Sequence, residues 1–281
     1  MKIIRSIAEM QRTAGKLKRN GRTIGFVPTM GALHEGHLSL IRRANKENDI
    51  TVASIFVNPI QFGPAEDFRF YPRPFKQDAA FCRKEGVDFI FYPGPEQMYP
   101  PGFKTYVDVF EMGDFLCGPL RPGHFRAVTT VVSKLFNIVF PTAAYFGQKD
   151  AQQAVMIQRM VKDLNMPVII KVIPTVREKN GLALSSRNIY LSASERKDSI
   201  VLSEALKSAK KMILSGRRSS DTIIKAMRKL ISAKKNAKIE YISVVGLEDL
   251  KPLKKIQEKC LVALAVRFGR TRLIDNIIVK S

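Results

Sequence analysis

The sequence predicts an α/β fold with two parts: a doubly wound, Rossmann-like parallel sheet over residues 1–175 and a smaller α+β domain over 176–281. Two observations lead to this prediction. In the first part, short apolar runs alternate with segments of helical periodicity, which is typical of parallel strands joined by crossover helices. In the second part, two polar-rich helical segments precede three strand-like runs, an order typical of an α+β domain. At 45% hydrophobic residues, the chain can build packed cores.

The first part begins with apolar residues at helical spacing, which predict a helix over residues 5–19 that ends near Asn20-Gly21. Five apolar runs then predict buried strands. They are Ile24–Thr29, Thr51–Val57, Val87–Tyr92, Ala143–Phe146 and Val168–Ile173. The helical segments that alternate with them are Leu38–Asn48, Lys76–Glu85, Phe125–Phe140 and Lys149–Leu164. Because helices separate the strands, neighbouring strands are expected to pair in parallel.

The second part has a different order of elements. Its two polar-rich helices are predicted over residues 193–214 and 220–235. The strands that follow are Glu240–Val245, Leu261–Phe268 and Leu273–Val279. The segment Gly269–Arg272 between the last two strands predicts a hairpin turn.

Positive charge is concentrated in the second part. The formal net charge of the chain is +22, and residues 176–281 hold 24 Lys and Arg against 10 Asp and Glu. Such a surface could face nucleic acid or a membrane, or could be a solvated lysine-rich surface. The basic clusters over residues 207–238 contain no interleaved aromatic residues, which single-strand binding favours. We therefore prefer the solvated surface and expect no specific nucleic-acid partner.

Composition also bears on location. No apolar run approaches the roughly 18 residues that a membrane helix needs, and the first residues lack the apolar segment of a secretion signal. Cys82, Cys117 and Cys260 are odd in number and far apart, so they suit neither a disulfide framework nor a CxxC metal site. We expect a cytoplasmic protein with reduced cysteines and no membrane association.

The clearest chemical signal is the segment Gly25–Ile41. It begins as an apolar strand, breaks at Pro28 and the glycines, presents His34 and His37 on either side of Gly36, and continues into a helix. Such a junction gathers unpaired backbone N–H groups and the positive end of a helix dipole, which both favour bound phosphate. The segment therefore predicts a nucleotide site.

Other chemistries suit this histidine pair less well. A metalloprotease helix spaces its two histidines by four positions, whereas His34 and His37 are three apart and no third ligand is evident. Two structural loop histidines are a further alternative. The chain has neither a GxxxxGK[ST] loop nor a GxGxxG motif, and its histidines and serines form no Ser-His-Asp set. Phosphate contact and general-acid chemistry are the preferred interpretation.

Three more polar segments interrupt the apolar elements: Asn58–Gly63, Gly147–Asp150 with Gln152-Gln153 beyond it, and Leu184–Asn188. The first two follow predicted strands, and open parallel sheets bind ligands outside the carboxyl ends of their strands. We therefore expect them to line one crevice together with the histidine segment. One of the two glutamines is expected to face this crevice and the other to face solvent.

Two of the polar regions are candidates for substrate binding. Asn58 and Gln61 either cap the turn around Pro59 or form hydrogen bonds with hydroxyl or carboxylate oxygens of a small substrate. Arg121 and His124, on a Gly- and Pro-rich loop, are further candidate substrate contacts.

The other regions are candidates for nucleotide binding. Lys149 and Asp150 either form a surface ion pair or hold a phosphate and a ribose. Ser185, Ser186 and Arg187 either begin a helix or bind a polyphosphate through hydroxyls, backbone N–H groups and a forked cation.

In this combination and order, the motifs resemble the pantoate–β-alanine ligase family over essentially the whole chain. The HxGH element alone marks only a wider nucleotidyltransferase superfamily. The residues that carry the resemblance are Pro28–His37, Phe56–Phe62, Tyr71–Arg73, Arg121–Phe125, Tyr145–Asp150, Gln152-Gln153, Ser185–Asn188 and Arg272–Asn276.

The resemblance implies a reaction with ATP and Mg²⁺ in which pantoate forms an adenylate that β-alanine then attacks. It assigns ATP contacts to Pro28, Thr29, Met30, Gly31, His34, His37, Gly147, Gln148, Lys149, Asp150, Val176, Leu184, Ser185, Ser186 and Arg187. The candidate catalytic residues are His34, His37, Lys149 and Arg187, with His37 as proton donor. Gln61 and Gln153 are expected to hold pantoate, and Asp78 lies where the family tends to have a Mg²⁺-related acid.

The resemblance also implies a homodimer formed through the N-terminal domain, and a C-terminal lid. Asn180, Leu184, Ala127 and Ala151 depart from the expected family pattern; we expect Leu184 to be tolerated as a near-isosteric change and Asn180 to keep its turn chemistry. Two alternative functions are a basic nucleic-acid-binding protein and an adenylate-forming transferase for a different acid.

Overall fold

A computed structural model describes residues 1–64 and 68–280. Its larger sheet consists of β1 Lys2–Ile4, β2 Ile24–Thr29, β3 Ile50–Ile55, β4 Phe89–Phe91, β5 Ala143–Gly147 and β6 Ile169–Ile173. The strand order is β1-β4-β3-β2-β5-β6 and every pair is parallel. The strand order changes direction at β2, which pairs with β3 on one side and β5 on the other. This is the switch point where a doubly wound sheet opens a ligand crevice.

Helices connect these strands. They are α1 Ile7–Arg19, α2 Glu35–Glu47, α3 Phe75–Lys84, α4 Pro95–Met98, α5 His124–Val139 and α6 Ala151–Asp163. The central strands carry continuous apolar runs because helices cover both faces of the sheet. Phe26, Val52, Ala53, Ala144 and Tyr145 are all fully buried in this layer.

The C-terminal residues form three helices packed on a small antiparallel sheet. The elements are α7 Ala193–Ser199, α8 Val201–Leu214, α9 Ser220–Ser232, β7 Ala237–Val245, β8 Lys259–Phe268 and β9 Thr271–Lys280, with the sheet in the order β7-β8-β9. Leu206, Ile213, Ile223 and Met227 of the helices share one apolar cluster with Leu264 of β8. The predicted fold class, a doubly wound parallel sheet with a smaller α+β part, is confirmed.

By its internal contacts the chain divides into two compact units. The first unit comprises residues 1–110, 121–147 and 156–174, and the second unit comprises residues 111–120, 148–155 and 175–281. The last change of unit falls between residues 174 and 175, one residue before the boundary that the sequence suggested. The inclusion of two short earlier segments in the second unit was not expected from the sequence.

Several element boundaries differ from the expectations. The strand β1 was not predicted, since three residues carry no readable periodicity. The expected helix over 193–214 is two helices that meet at Ile200. The hydroxyls of Ser199 and Ser203 donate to carbonyls three residues earlier and compete there with the helical ladder. The hairpin turn is shorter than expected, because β9 already begins at Thr271.

Candidate active site

The loop after β2 is held by hydrogen bonds to neighbouring elements of the first unit. The Thr29 hydroxyl donates to the Ser54 carbonyl at 2.7 Å and accepts from the Gly31 N–H at 3.1 Å. Gly31 and Ala32 both have positive φ, +85° and +51°. Two successive residues in this conformation turn the backbone sharply, and the position of Gly31 requires glycine because a Cβ there would lie 2.9 Å from the Asp78 carboxylate.

Asp78 on α3 fixes the other end of this loop. Its two carboxylate oxygens accept from the Ala32 and Leu33 N–H groups at 2.9 and 2.8 Å. The side chain is buried. Burial raises the pKa of Asp78, and the two backbone N–H groups oppose that rise because they favour the charged form. The carboxylate therefore shapes the loop.

Asp78 is also the residue that the sequence associated with Mg²⁺. Among the described residues, no group of three or more His, Cys, Asp or Glu side chains lies close enough to hold a metal. Both oxygens of Asp78 are used by the backbone of the loop. Because Mg²⁺ is usually held by one or two carboxylates together with substrate phosphates, this geometry shows no all-protein magnesium site among the described residues, and a role of Asp78 toward Mg²⁺ stays a prediction.

The two histidines of the loop cap α2. The His34 Nδ1 accepts from the Gly36 N–H at 3.1 Å, and the His37 Nδ1 accepts from the His34 N–H at 3.3 Å. This is a capping box built from imidazoles, and it explains why α2 begins at Glu35 rather than at the predicted Leu38. Because Nδ1 of a neutral ring acts as the acceptor, the proton of each ring is on Nε2. The ring centroids are 4.2 Å apart.

Four candidate substrate residues form one cluster in the first unit. Arg121 Nη1 donates to His124 Nε2 at 2.9 Å, and His124 Nδ1 lies 2.9 Å from the Gln61 carbonyl. A carbonyl can only accept, so Nδ1 carries the proton and both ring nitrogens of His124 are engaged. The buried Asn58 amide donates to Gln61 Oε1 and to the Ala127 carbonyl, both at 3.3 Å.

Tyr99 belongs to this cluster, although no pattern in the sequence pointed to it. Its hydroxyl donates to Asn58 Oδ1 at 2.8 Å, and burial raises the pKa of Tyr99 well above its usual value. Asn58 therefore has hydrogen-bond partners on both ends of its amide. It acts less as a turn cap than as a link between Gln61 and the buried interior.

In the second unit, residues 148–150 form a 3-10 turn whose backbone is held by β9. The Asn276 amide donates to the Gln148 and Lys149 carbonyls, each at 2.9 Å, and its oxygen accepts from Gln148 Nε2 at 3.3 Å. Lys149 is half-buried and Asp150 exposed. The predicted ribose- and phosphate-binding residues of this segment therefore lie on a turn that a distant strand fixes.

The two glutamines after this turn differ in environment. The expectation that one would face the crevice and the other solvent is wrong for Gln152, which is buried. Its amide donates to the Phe115 carbonyl at 2.8 Å and accepts from the Cys117 N–H at 3.2 Å. Gln152 thus fastens segment 111–120 to the first turn of α6, whereas Gln153 is half-buried.

The segment 176–187 is a hydrogen-bonded loop of the second unit. The Leu184 N–H donates to the Val176 carbonyl at 3.0 Å, which joins two predicted nucleotide residues. Gly181 has φ +95°, and Asn180 Oδ1 accepts from the Leu182 N–H at 3.0 Å, so Asn180 does keep its turn chemistry.

The serine–arginine segment that follows begins a short 3-10 helix. Ser185 Oγ accepts from the Arg187 N–H at 3.3 Å. This is the helix cap that the sequence offered as an alternative to polyphosphate binding. Ser186 and Arg187 are half-buried in the first turn of that helix. The structure shows the cap for Ser185, and the binding of a polyphosphate by this segment stays a prediction.

Comparison with known proteins identifies the family. Residues 2–278 match the family model described as pantoate-beta-alanine ligase. The chain belongs to the pantoate–β-alanine ligase family. The ligase is 55% identical over its whole length to the pantothenate synthetase of Caldicellulosiruptor bescii, whose length it also covers completely.

Solved structures agree with this assignment. The ligase superposes on pantothenate synthetase from Thermus thermophilus with a TM-score of 0.93 and 44% identity, over 99% of each chain. A second structure, pantoate-beta-alanine ligase from Francisella tularensis complexed with beta-gamma ATP and beta-alanine, gives a TM-score of 0.80 and 35% identity over 99% of this chain and 97% of that one. In the part of the ligase that the structure describes, no helix is long and apolar enough to cross a membrane.

Proposed function

We propose that the ligase condenses pantoate with β-alanine in two steps. In the first, a carboxylate oxygen of pantoate attacks the α-phosphorus of ATP; a new P–O bond forms, the bond to the β-phosphate breaks, and pyrophosphate leaves. In the second, the amine of β-alanine attacks the acyl carbon of pantoyl adenylate; a C–N bond forms, AMP leaves and the amine loses a proton. No covalent enzyme intermediate is needed, so positioning and charge stabilisation carry the rate.

The observation that carries this proposal is the histidine pair at the N-terminus of α2. Each ring accepts through Nδ1 from the helix backbone, which leaves its proton on Nε2. Two N–H donors at the positive end of a helix suit phosphate oxygens. We assign His34 and His37 to the ATP phosphates and His37 to proton donation, with Pro28–Gly31 as the adjoining ATP contacts.

The remaining roles follow the same reasoning. Gln61 and Gln153 hold pantoate, and Gln61 also contacts β-alanine. Asn58 and His124 act by holding Gln61, because hydrogen bonds within the protein engage the Asn58 amide and both ring nitrogens of His124. Arg121 orients His124.

The second unit completes this assignment. Its turn Gln148–Asp150 and the residues Val176 and Leu184–Arg187 contact ATP, as does Gly147 at the end of β5. Lys149 and Arg187 supply the cations that offset phosphate charge. Mg²⁺ enters the proposal as an ion bound to the ATP phosphates, without assigned protein ligands.

We also propose a cytoplasmic homodimer formed through the first unit. Phe110 is 88% exposed, and Tyr106, four residues earlier, is 48% exposed. The family resemblance carries this part of the proposal, and a contiguous apolar patch around these two residues would be the surface that a second copy covers. Light scattering should give the mass of a dimer, and Phe110→Asp should shift it toward the monomer; a wild-type monomer would overturn this part of the proposal.

The proposed reaction is tested by measuring pyrophosphate release from ATP and Mg²⁺ with pantoate, with and without β-alanine. We expect pantoate-dependent release in both cases, and AMP with pantothenate only when β-alanine is present. Release that depends on a different acid would favour an adenylate-forming transferase of other specificity. Folded protein that releases no pyrophosphate with pantoate would refute the proposal.

A further inference from the structure

Two adjacent polar residues on β9 are buried without an assigned role. Asp275 and Asn276 are 2% and 3% exposed. Neighbouring residues of a strand point to opposite faces of the sheet. Asp275 is therefore on the same face as Leu273 and Val279, which belong to the apolar cluster beneath α8 and α9. Asn276 is on the other face. A carboxylate in an apolar row requires a compensating partner.

That partner is Arg177. The Arg177 guanidinium donates from Nη2 to Asp275 Oδ1 at 2.8 Å and from Nη1 to Asp275 Oδ2 at 2.5 Å. The same Nη1 donates to the Gly181 carbonyl at 3.1 Å. Arg177 also forms a backbone bridge with Ala183. The bidentate pair therefore fixes the base and the turn of the loop 176–187 to β9.

Asn276 performs the same task for the other nucleotide segment of the second unit. Both of its amide hydrogens are used by the Gln148 and Lys149 carbonyls, and its oxygen accepts from the Gln148 side chain. In addition, the Asn276 N–H donates to Asp275 Oδ1 at 2.8 Å. The two side chains are therefore joined to each other as well as to their separate loops.

Stability alone does not explain this arrangement. A buried ion pair usually stabilises a fold no better than well-packed apolar residues of similar size, because desolvation offsets the attraction. Residues with branched apolar side chains already occupy the positions of β9 on either side of Asp275 in the same row. The charge pair instead restricts geometry. Because the guanidinium is a rigid, planar fork, its bidentate bond allows few orientations of the loop that carries Arg177.

We propose that Asp275 and Asn276 are positioning residues that hold the turn Gln148–Asp150 and the loop 176–187 in a fixed relation on β9, and so pre-organise the ATP contacts of the second unit. This inference rests on the proposed function, which assigns ATP to both segments. The two residues do not themselves contact substrate. Their effect reaches ATP through backbone atoms that they fix.

The test uses isosteric variants, so that packing changes little. Asp275→Asn removes the charge that Arg177 needs, and Asn276→Asp replaces two donors with an oxygen that repels the Gln148 and Lys149 carbonyls. The matched control is Arg267→Gln. It breaks an ion pair with Glu240 on the same small sheet, at 2.6 Å, yet touches neither nucleotide segment. Asn276→Ser, which keeps one donor, is a milder second variant in case Asn276→Asp does not fold.

ATP affinity by titration calorimetry and the KM values of the full reaction are the readouts. We expect Asp275→Asn and Asn276→Asp to weaken ATP binding and raise the KM for ATP by about 10- to 100-fold. The KM for β-alanine should stay within about twofold. Asn276→Ser should be intermediate, and Arg267→Gln should match the wild type.

Unchanged ATP affinity in folded Asp275→Asn and Asn276→Asp would overturn the inference. A similar loss of kcat in both variants, with the KM values of all three substrates unchanged, would also overturn it, because a merely structural role predicts that result. Failure of the proposed function is recognised separately. Wild-type protein that binds ATP but releases no pyrophosphate with pantoate would refute that reaction, while the ATP affinities of the variants would still decide the role of β9.

Discussion

The two units hold the segments that we propose to bind nucleotide in different ways. In the first unit, the His34 imidazole accepts from the Gly36 N–H, and the His34 N–H donates to the His37 imidazole three residues away, so the pair caps the helix that follows. In the second unit, the comparable work is done by Arg177 with Asp275, 98 positions apart, and by Gln148 with Asn276, 128 positions apart. The first arrangement is a local motif, whereas the second exists only after β9 has paired with β8. A local motif can be recognised in the sequence; a long-range one requires the fold.

The largest effect is expected from substituting His37, the residue of the local arrangement that we assign to proton donation. His37→Gln keeps an acceptor for the His34 N–H, as in an ordinary capping box, but cannot act as an imidazole acid. We expect pantoate-dependent pyrophosphate release to fall by about 10²- to 10⁴-fold with an unchanged circular dichroism spectrum. The companion His37→Ala should lose both activity and helix capping. Near-normal release by His37→Gln would remove His37 from the chemistry.

A second change separates loop shaping from metal binding in the first unit. Asp78→Asn leaves one carboxamide oxygen for two N–H groups, so the loop 29–33 loses one of its anchors. We expect a KM for ATP raised by roughly tenfold, which corresponds to one buried hydrogen bond lost, and an unchanged dependence on Mg²⁺ concentration. Glu85→Gln, at the other end of the same helix, is the control. A higher Mg²⁺ requirement in Asp78→Asn alone would show that the carboxylate serves the metal after all.

The two neighbouring glutamines allow a sharper comparison within the second unit. Gln152→Leu removes the side chain that bonds the Cys117 N–H and the Phe115 carbonyl, so we expect a loss of about 1–3 kcal/mol in the free energy of unfolding. Its KM for pantoate should change by less than about threefold. Gln153→Leu should do the reverse, with a raised KM for pantoate and an unchanged melting temperature. Denaturant titration and steady-state kinetics of both variants check this, and a shared phenotype would contradict it.

The smallest effect concerns a long-range contact in the first unit. The Tyr145 hydroxyl donates to Glu47 and accepts from Asn48, both at 2.8 Å, and it holds the pKa of Glu47 below its usual value. Tyr145→Phe should lower the free energy of unfolding at pH 7, because the fold loses both hydrogen bonds of the hydroxyl.

The pH dependence of this cost follows from the sign of the shift. A lowered carboxylate pKa stabilises the fold above the pKa of the unfolded state, and that stabilisation is lost as the pH falls through the folded-state value. The difference between Tyr145→Phe and the wild type should therefore shrink in urea titrations below pH 4.5, the usual value for Glu. A stability difference between the two proteins that grows as the pH falls would contradict this prediction.

The sequence predicted what depends on local pattern. Alternating apolar runs gave the parallel sheet, and the break at Pro28 followed by the histidines located the loop at its switch point. The pattern could not show that Gln152 is buried, because its partners lie on segment 111–120. Nor could the pattern show what Asp275 and Asn276 do in the segment Arg272–Asn276, which helped to carry the resemblance. Tyr99 was missed for the same reason, since its link to Asn58 spans 41 positions.

The imidazole capping box has a consequence for mutational surveys of this chain. In His34 and His37, Nδ1 caps the helix while the proton is on Nε2. Each side chain is therefore needed both for folding and for the proposed chemistry. A screen that counts only folded protein in cells should already find both positions intolerant of alanine. The same screen should find that the half-buried Gln153 tolerates substitution. Only a screen for growth without added pantothenate should show that substitutions of Gln153 impair activity. Disagreement between the two screens would therefore sort site residues by whether the fold depends on them.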